Sequence, residues 1–268
     1  MHESFQVDPA SRPIGPVVLA AATSFSENVY DLRLSKEVQA RLFPQVLPRS
    51  AGLPCAGICL PAREVGGDLY DFLDLGPGRL GLVIGDVSGK GFAAALQMAT
   101  LQAQLRTHVS LGVRDLCELV RSVNRLFYDC TPATSYATLV FAEYEERTRI
   151  LRYVNCGHPP PVILRADGGI ERLESSATVL GLTRELICTS VHTRLAPGDT
   201  LILYSDGITE SMGTNGHEFG EPRLHRIAQA NSRLSISGLV KAIMDAARSF
   251  AGTKPADDMT VVAARCIV

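Results

Sequence analysis

Gly85-Asp86-Val87-Ser88-Gly89-Lys90-Gly91 follows the apolar run Leu80-Gly81-Leu82-Val83-Ile84 and precedes an alanine-rich stretch of helical period. An acidic residue therefore stands where a buried strand ends and the chain turns through glycines. A carboxylate placed there is held rigidly yet stays accessible. Three further stretches share this character: Gly66-Gly67-Asp68, Ser205-Asp206-Gly207 and Asp257-Asp258-Met259-Thr260.

Working outward, Val65 to Leu75 reads as a strand covered on both faces, because Leu69, Leu73 and Leu75 alternate with Tyr70, Phe72 and Asp74. Gly76-Pro77-Gly78 turns it into a return strand over 79–86. Ala56 to Leu60 is an earlier strand. Helices are expected over 91–109, with Ala94, Met98, Leu101 and Leu105 on one face, and over 114–128. Hairpin strands follow at 136–144 and 148–154, 162–165 and 170–173, and 188–195 and 200–204. Helices at 221–229 and 235–250 and a strand at 258–267 complete the pattern. Strands and helices do not alternate, so a doubly wound parallel sheet is disfavoured and antiparallel sheets with helices packed outside fit better. We expect an N-terminal extension over 1–32, a helix and linker over 33–50, and one domain over 51–268. In the helix, about 32–43, Leu34, Val38 and Leu42 form one apolar stripe. It serves either as packing on its own domain or as a switch or dimer contact.

The 268 residues, 46% apolar and 20% charged, can bury a large core without disulfides. A net charge of -2 with no long basic run disfavours nucleic acid and anionic membranes as partners. Tryptophan is absent and aromatics are 6%, which argues against base-stacking platforms. Seven irregularly spaced cysteines suit reduced thiols in a cytoplasm. The apolar run 16–22 is too short to span a bilayer and lacks a basic leader, so we expect a cytoplasmic protein.

Three literal motif matches fail on context. Gly76-Pro77-Gly78-Arg79-Leu80-Gly81 opens a strand, not the helix a pyrophosphate site needs. Gly85 to Lys90 lacks one residue of a P-loop and puts Gly91 where a magnesium-binding hydroxyl belongs. Cys188 and Arg194 have the spacing of cysteine phosphatases, but the five residues between them contain no glycine to cradle a phosphate.

The aspartates survive this scrutiny. Asp68, Asp86, Asp206 and Asp257 are far apart in sequence, so only tertiary folding can gather them. Carboxylates without His or Cys are hard oxygen ligands, suited to Mg²⁺ or Mn²⁺ and poorly suited to zinc. Two such ions would offset the four charges and could activate a water for attack on phosphorus.

These motifs, together with Pro61-Ala62-Arg63-Glu64-Val65, Asn155-Cys156-Gly157-His158-Pro159-Pro160 and Leu195-Ala196-Pro197-Gly198-Asp199, give the chain a marked likeness. From about Leu34 to Val268 it resembles the PPM (type 2C) metal-dependent serine/threonine phosphatases, in the bacterial branch of stage II sporulation protein E and the Rsb-type stress regulators. The resemblance implies an α+β fold, an α-β-β-α sandwich of two antiparallel sheets flanked by helices. It implies two Mn²⁺ or Mg²⁺ ions, bridged by Asp86, with Asp68 and the Val87 carbonyl on one and Asp206 and Asp257 on the other. Asp86 and Asp206 are the residues expected to carry catalysis. Asp258 is the alternative to Asp257, or its support. The implied substrate is a phosphoserine or phosphothreonine on a STAS-type anti-sigma-factor antagonist, and a regulatory protein or homodimer could engage residues 33–43. Arg63 and Lys90 lie near the motifs without an assigned role, and His158 is read as shaping the turn before Pro159. The competing readings are a catalytically idle module of the same fold that holds a signalling partner and, last, a thiol phosphatase built on Cys188.

Overall fold

The elements of the computed structural model, which describes residues 30–48, 52–252 and 255–267, begin with helix α1 (30–42) and strands β1 (Cys55–Leu60), β2 (Asp68–Asp74) and β3 (Arg79–Val87). Helices α2 (Phe92–Ser110) and α3 (Leu116–Cys130) follow, then β4 (Ala137–Glu145), β5 (Ile150–Cys156), β6 (Val162–Leu164), β7 (Ile170–Arg172), β8 (Val191–Arg194) and β9 (Thr200–Tyr204). The chain closes with α4 (Asp206–Thr209), α5 (Gly220–Ala230), α6 (Ile236–Ala251) and β10 (Met259–Arg265). The extension expected over 1–32 lies outside the described residues as far as residue 29.

The strands form two five-stranded antiparallel sheets, the first in the order β1-β10-β9-β6-β7 and the second β2-β3-β4-β5-β8. The alternation in β2 shows why the sheets stack. Successive side chains leave a strand on opposite faces. Tyr70 and Phe72 point between the sheets, where they join Ile84 and Val140 against Leu203 and Val262. Leu69 and Leu73 point outward and pack with Met98, Leu101 and Phe127 of α2 and α3. On the far side, Ile202 and Val261 of the first sheet pack under Leu239, Val240 and Ile243 of α6. Three apolar layers therefore lie between four structural ones, the α-β-β-α sandwich.

Helix limits follow local chemistry. Asp115 accepts the Glu118 N–H ahead of α3, and Ser235 accepts the Gly238 N–H ahead of α6. Gly252, at φ 66°, ends α6 in the left-handed conformation that glycine tolerates.

Strand limits depart from the sequence pattern where backbone groups find distant partners. The strand expected from Val65 starts only at Asp68. Gly66 instead exchanges hydrogen bonds with the Gln39 side chain, and the Gly67 N–H goes to Asp258. The strand expected over 188–195 shrinks to Val191–Arg194. Before it, Arg121 and Asn124 of α3 take up carbonyls at 183, 184, 186 and 188. In α1 the expected apolar stripe is split. Leu42 packs on the helix-covered core, but Leu34 and Val38 are 46% and 56% exposed, and the buried residue of that helix is Gln39.

The intersheet layer gives a direct test. Leu203→Ala, at a fully buried site, should lower unfolding free energy by about 2–5 kcal/mol in urea denaturation. Leu96→Ala, on the exposed side of α2, should stay within about 0.5 kcal/mol of the parent.

Candidate metal centre

The four predicted aspartates lie at one end of the sandwich because of how the sheet ends are tied. Asp68 opens β2 and stands directly opposite Asp86 near the end of β3. Asp206 follows β9, and Asp257 precedes β10, the strand paired with β9. Ser205 and Thr260 lock those two ends: the Ser205 N–H donates to the Thr260 carbonyl at 3.0 Å, and the Thr260 N–H donates to Ser205 Oγ at 2.9 Å. Thr260 Oγ1 then donates to Asp68 Oδ2 at 2.6 Å, joining the first sheet to the second.

Asp258 has a different part from its neighbour. Its Oδ1 accepts the Ala62 N–H at 2.7 Å, and its Oδ2 accepts the Gly67 N–H at 2.7 Å. This carboxylate therefore binds the loop that leads into Asp68. The glycines of that loop are required by space. A Cβ on Gly67 would stand 2.6 Å from the Val87 carbonyl oxygen, and one on Gly66 would collide with the Asp258 carboxylate.

Gathering these acids is electrostatically costly. Burial, followed by the charge of Asp86, raises the Asp68 carboxyl well above the usual range, although the Thr260 hydroxyl opposes the shift. Burial, then Asp206 and Asp257, pushes Asp86 up to about 8, with Lys90 acting in the other direction. Burial and then Asp257 raise Asp206. Like charges directly opposite on paired strands destabilise a sheet, and here nothing apolar has replaced them.

Beside them lies a cleft of about 320 Å³, lined by Asp86, Thr138, Gly157, His158, Asp206 and Glu210. His158 is buried, and its Nδ1 lies 2.8 Å from Thr138 Oγ1. Burial lowers its pKa to about 3, so the ring is neutral near pH 7. The His158 N–H donates to Asn155 Oδ1 at 2.9 Å, and Asn155 Nδ2 donates to the His158 carbonyl at 3.1 Å. The residue thus closes a side-chain-to-backbone turn, as its sequence setting indicates.

The donor set suits a hard divalent cation. The groups at this end are carboxylates and the Val87 carbonyl, all oxygen. Hard oxygen donors of this kind suit Mg²⁺ or Mn²⁺, which keep water on their remaining positions, and differ from the nitrogen and sulfur ligands of a closed zinc cage.

Sequence reasoning missed several participants. Thr260 and Ser205 lie inside the quoted stretches but gave no signal of their linking role. Glu210 and Thr138 reach the cleft only through the fold. Lys90 Nζ reaches Asp257 Oδ2 at 2.6 Å across 167 positions of sequence. The alternative nucleophile is placed elsewhere: the Cys188 thiol is buried, donates to Cys117 Sγ at 2.8 Å, and is pushed up by burial and that contact. No helix among the described residues is long and apolar enough to cross a membrane.

This architecture has close counterparts. The PP2C domain of SiaA from Pseudomonas aeruginosa superposes with a TM-score of 0.80 over 91% of this chain and 99% of that one, at 18% identity, a likeness of fold. The RsbU and RsbW domains of Rv1364c from Mycobacterium tuberculosis match with a TM-score of 0.73 at 26% identity, over 82% of this chain and 62% of that one. The sandwich and its acidic end define a domain of the PP2C phosphatase class. The model of stage II sporulation protein E (SpoIIE) matches residues 76–267, and the chain belongs to that family. Phosphoserine phosphatase RsbU of Bacillus subtilis is 26% identical over 236 residues, which cover 88% of this chain and 70% of RsbU. Phosphoserine phosphatase RsbP of the same organism is 29% identical over 152 residues, covering 56% of this chain and 38% of RsbP.

The raised carboxylates predict a pH effect. In EDTA, folded Asp86 holds its proton to about pH 8, whereas the unfolded residue loses it near 3.8. The folded state then binds more protons, so its stability falls as pH rises through that window. Buried neutral His158 opposes this trend only below its ordinary value of 6.5. The melting temperature in EDTA should therefore drop between about pH 6.5 and 8, and Asp86→Asn should shrink the drop. A level or rising melting temperature across that window contradicts the electrostatic picture.

Proposed function

We propose that the chain is a metal-dependent protein serine/threonine phosphatase that uses two Mn²⁺ or Mg²⁺ ions. The observation that carries this reading is the facing pair of buried Asp68 and half-buried Asp86, mutually repelling, with Asp206 and Asp257 close enough to add their charge and with Asp86 and Asp206 lining a cleft. Asp86, whose carboxylate interacts with Asp68, Asp206 and Asp257, would contribute to holding both ions. Asp68 and the Val87 carbonyl would hold one, and Asp206 and Asp257 the other. Asp258, engaged by backbone N–H groups, supports the loop. Bound there, the ions would supply an activated water and offset negative charge on the phosphoryl oxygens.

The protein's own part is placement. The Ser205–Thr260 lock and the Thr260–Asp68 bond fix the carboxylates relative to one another before substrate arrives. The cleft, about 320 Å³, has room for a phosphorylated side chain. Support for a phosphoserine substrate comes from RsbU and RsbP, both named phosphoserine phosphatases. A STAS-type antagonist is the substrate class that the family resemblance implies. Exposed Leu34 and Val38 make α1 the place for a regulatory protein or a second copy to engage.

Hydrolysis of an aryl phosphate separates the readings. Turnover should require Mn²⁺ or Mg²⁺, vanish in EDTA and survive thiol alkylation. Asp86→Ala should lose at least about a thousandfold in kcat with an unchanged circular dichroism spectrum. Turnover that persists in EDTA overturns the metal reading, and turnover that persists in Asp86→Ala removes that residue from the site. A folded protein inactive under every condition returns the idle binding module.

A further inference from the structure

Among the described residues, the ion pairs of the acidic end reduce to one, Lys90 with Asp257. Lys90 sits between Gly89 and Gly91, whose φ values of 98° and 75° belong to glycine. The turn they form aims the Lys90 side chain across to the approach of β10. There Nζ donates to Asp257 Oδ2 at 2.6 Å and to the Ala256 carbonyl at 2.8 Å. The other oxygen, Asp257 Oδ1, accepts the Asp258 N–H at 3.0 Å. Both oxygens of a carboxylate that would bind metal are thus already engaged, one of them by an ammonium.

We propose that Lys90 is a tethered counter-ion that competes with a divalent cation for Asp257. The inference rests on reading Asp257 as a metal ligand. With no ion bound, the ammonium occupies Oδ2 and offsets part of the clustered negative charge. For Asp257 to accept a divalent ion, Lys90 must withdraw, because an ammonium and a divalent cation on one carboxylate repel each other. Withdrawal costs little. The two side chains are 42% and 43% exposed, a setting in which ion pairs are weak and well screened. The flexible four-carbon stem gives the ammonium freedom to move while the backbone stays fixed. Lys90 therefore tunes ion occupancy at Asp257 and acts as a positioning residue.

The test is Mn²⁺ binding to the full chain, read from the electron paramagnetic resonance signal of free Mn²⁺, for the parent, Lys90→Met and Lys90→Arg. Lys90→Met should bind Mn²⁺ about two- to fivefold more tightly, whereas Lys90→Arg should stay near the parent. In an Asp257→Asn background, Lys90→Met should no longer change the affinity. Unchanged or weaker binding by Lys90→Met overturns the inference, as does a gain that persists with Asp257→Asn. If Lys90→Met does not fold, Lys90→Gln is measured with the same criteria. A folded parent that binds no Mn²⁺ refutes the metal reading itself and this inference with it. A parent that binds Mn²⁺ with no gain in Lys90→Met refutes the inference alone.

Discussion

The Asp258 carboxylate accepts backbone N–H groups from Ala62 and Gly67, and this contact sets where the second sheet starts relative to the first. Buried donors of this kind must be paired, and an ionised acceptor pairs them more strongly than a neutral one. The loop between β1 and β2 is thereby drawn under β10. Asp68 arrives beside Thr260, and Gly67 lies against the Val87 carbonyl. The adjacent Asp257, one residue earlier in the chain, binds only the next backbone N–H, that of Asp258, and the Lys90 ammonium. Two identical side chains, side by side in sequence, thus differ in reach: one ties down a distant loop, and the other stays local and half-exposed beside the acidic cluster.

The fold thereby holds an unfavourable arrangement in place. Raised carboxyl groups at Asp68, Asp86 and Asp206 mark charge that the folded chain concentrates against its own electrostatics. The large apolar layers on either side supply the stability against which such strain can be held. Local conflict of this kind, inside a structure otherwise consistent from strand pattern to packing, is where function is expected.

Much of this was legible in the sequence, for identifiable reasons. Alternation in β2 exposed a strand covered on both faces, and an acid at a strand edge or turn, beside glycine or small residues, marked Asp68, Asp86, Asp206 and Asp257 as candidates. Antiparallel sheets with helices outside followed from hairpin strands interrupted by paired helices, whereas the four-layer order was implied by the family resemblance. What stayed hidden depended on contacts between distant residues. The true start of β2 depends on Gln39 and Asp258, which lie 27 and 191 positions from the glycines they bind. The four-residue α4 is too short to show a period. The stripe of α1 left two readings open because period alone does not say which face is covered, and the fold buries Gln39 while Leu34 and Val38 stay exposed. The C-x5-R spacing at Cys188 was set aside for want of a glycine-rich loop, and the structure adds that the thiol is buried against Cys117.

Strand β10 lies between β1 and β9, so the last strand of the chain completes the middle of the first sheet. Thr260 and Asp68, whose bond joins the sheets, are 192 positions apart. Contacts of such long range form late and slowly, because loop closure comes before their reward. During synthesis, the second sheet and its helices can assemble on the ribosome while the acidic end remains unmade. Asp206 and Asp257 join Asp68 and Asp86 only when β10 has paired with β1 and β9, so the folding chain is spared the mutual repulsion of the four charges until that closing pairing is made.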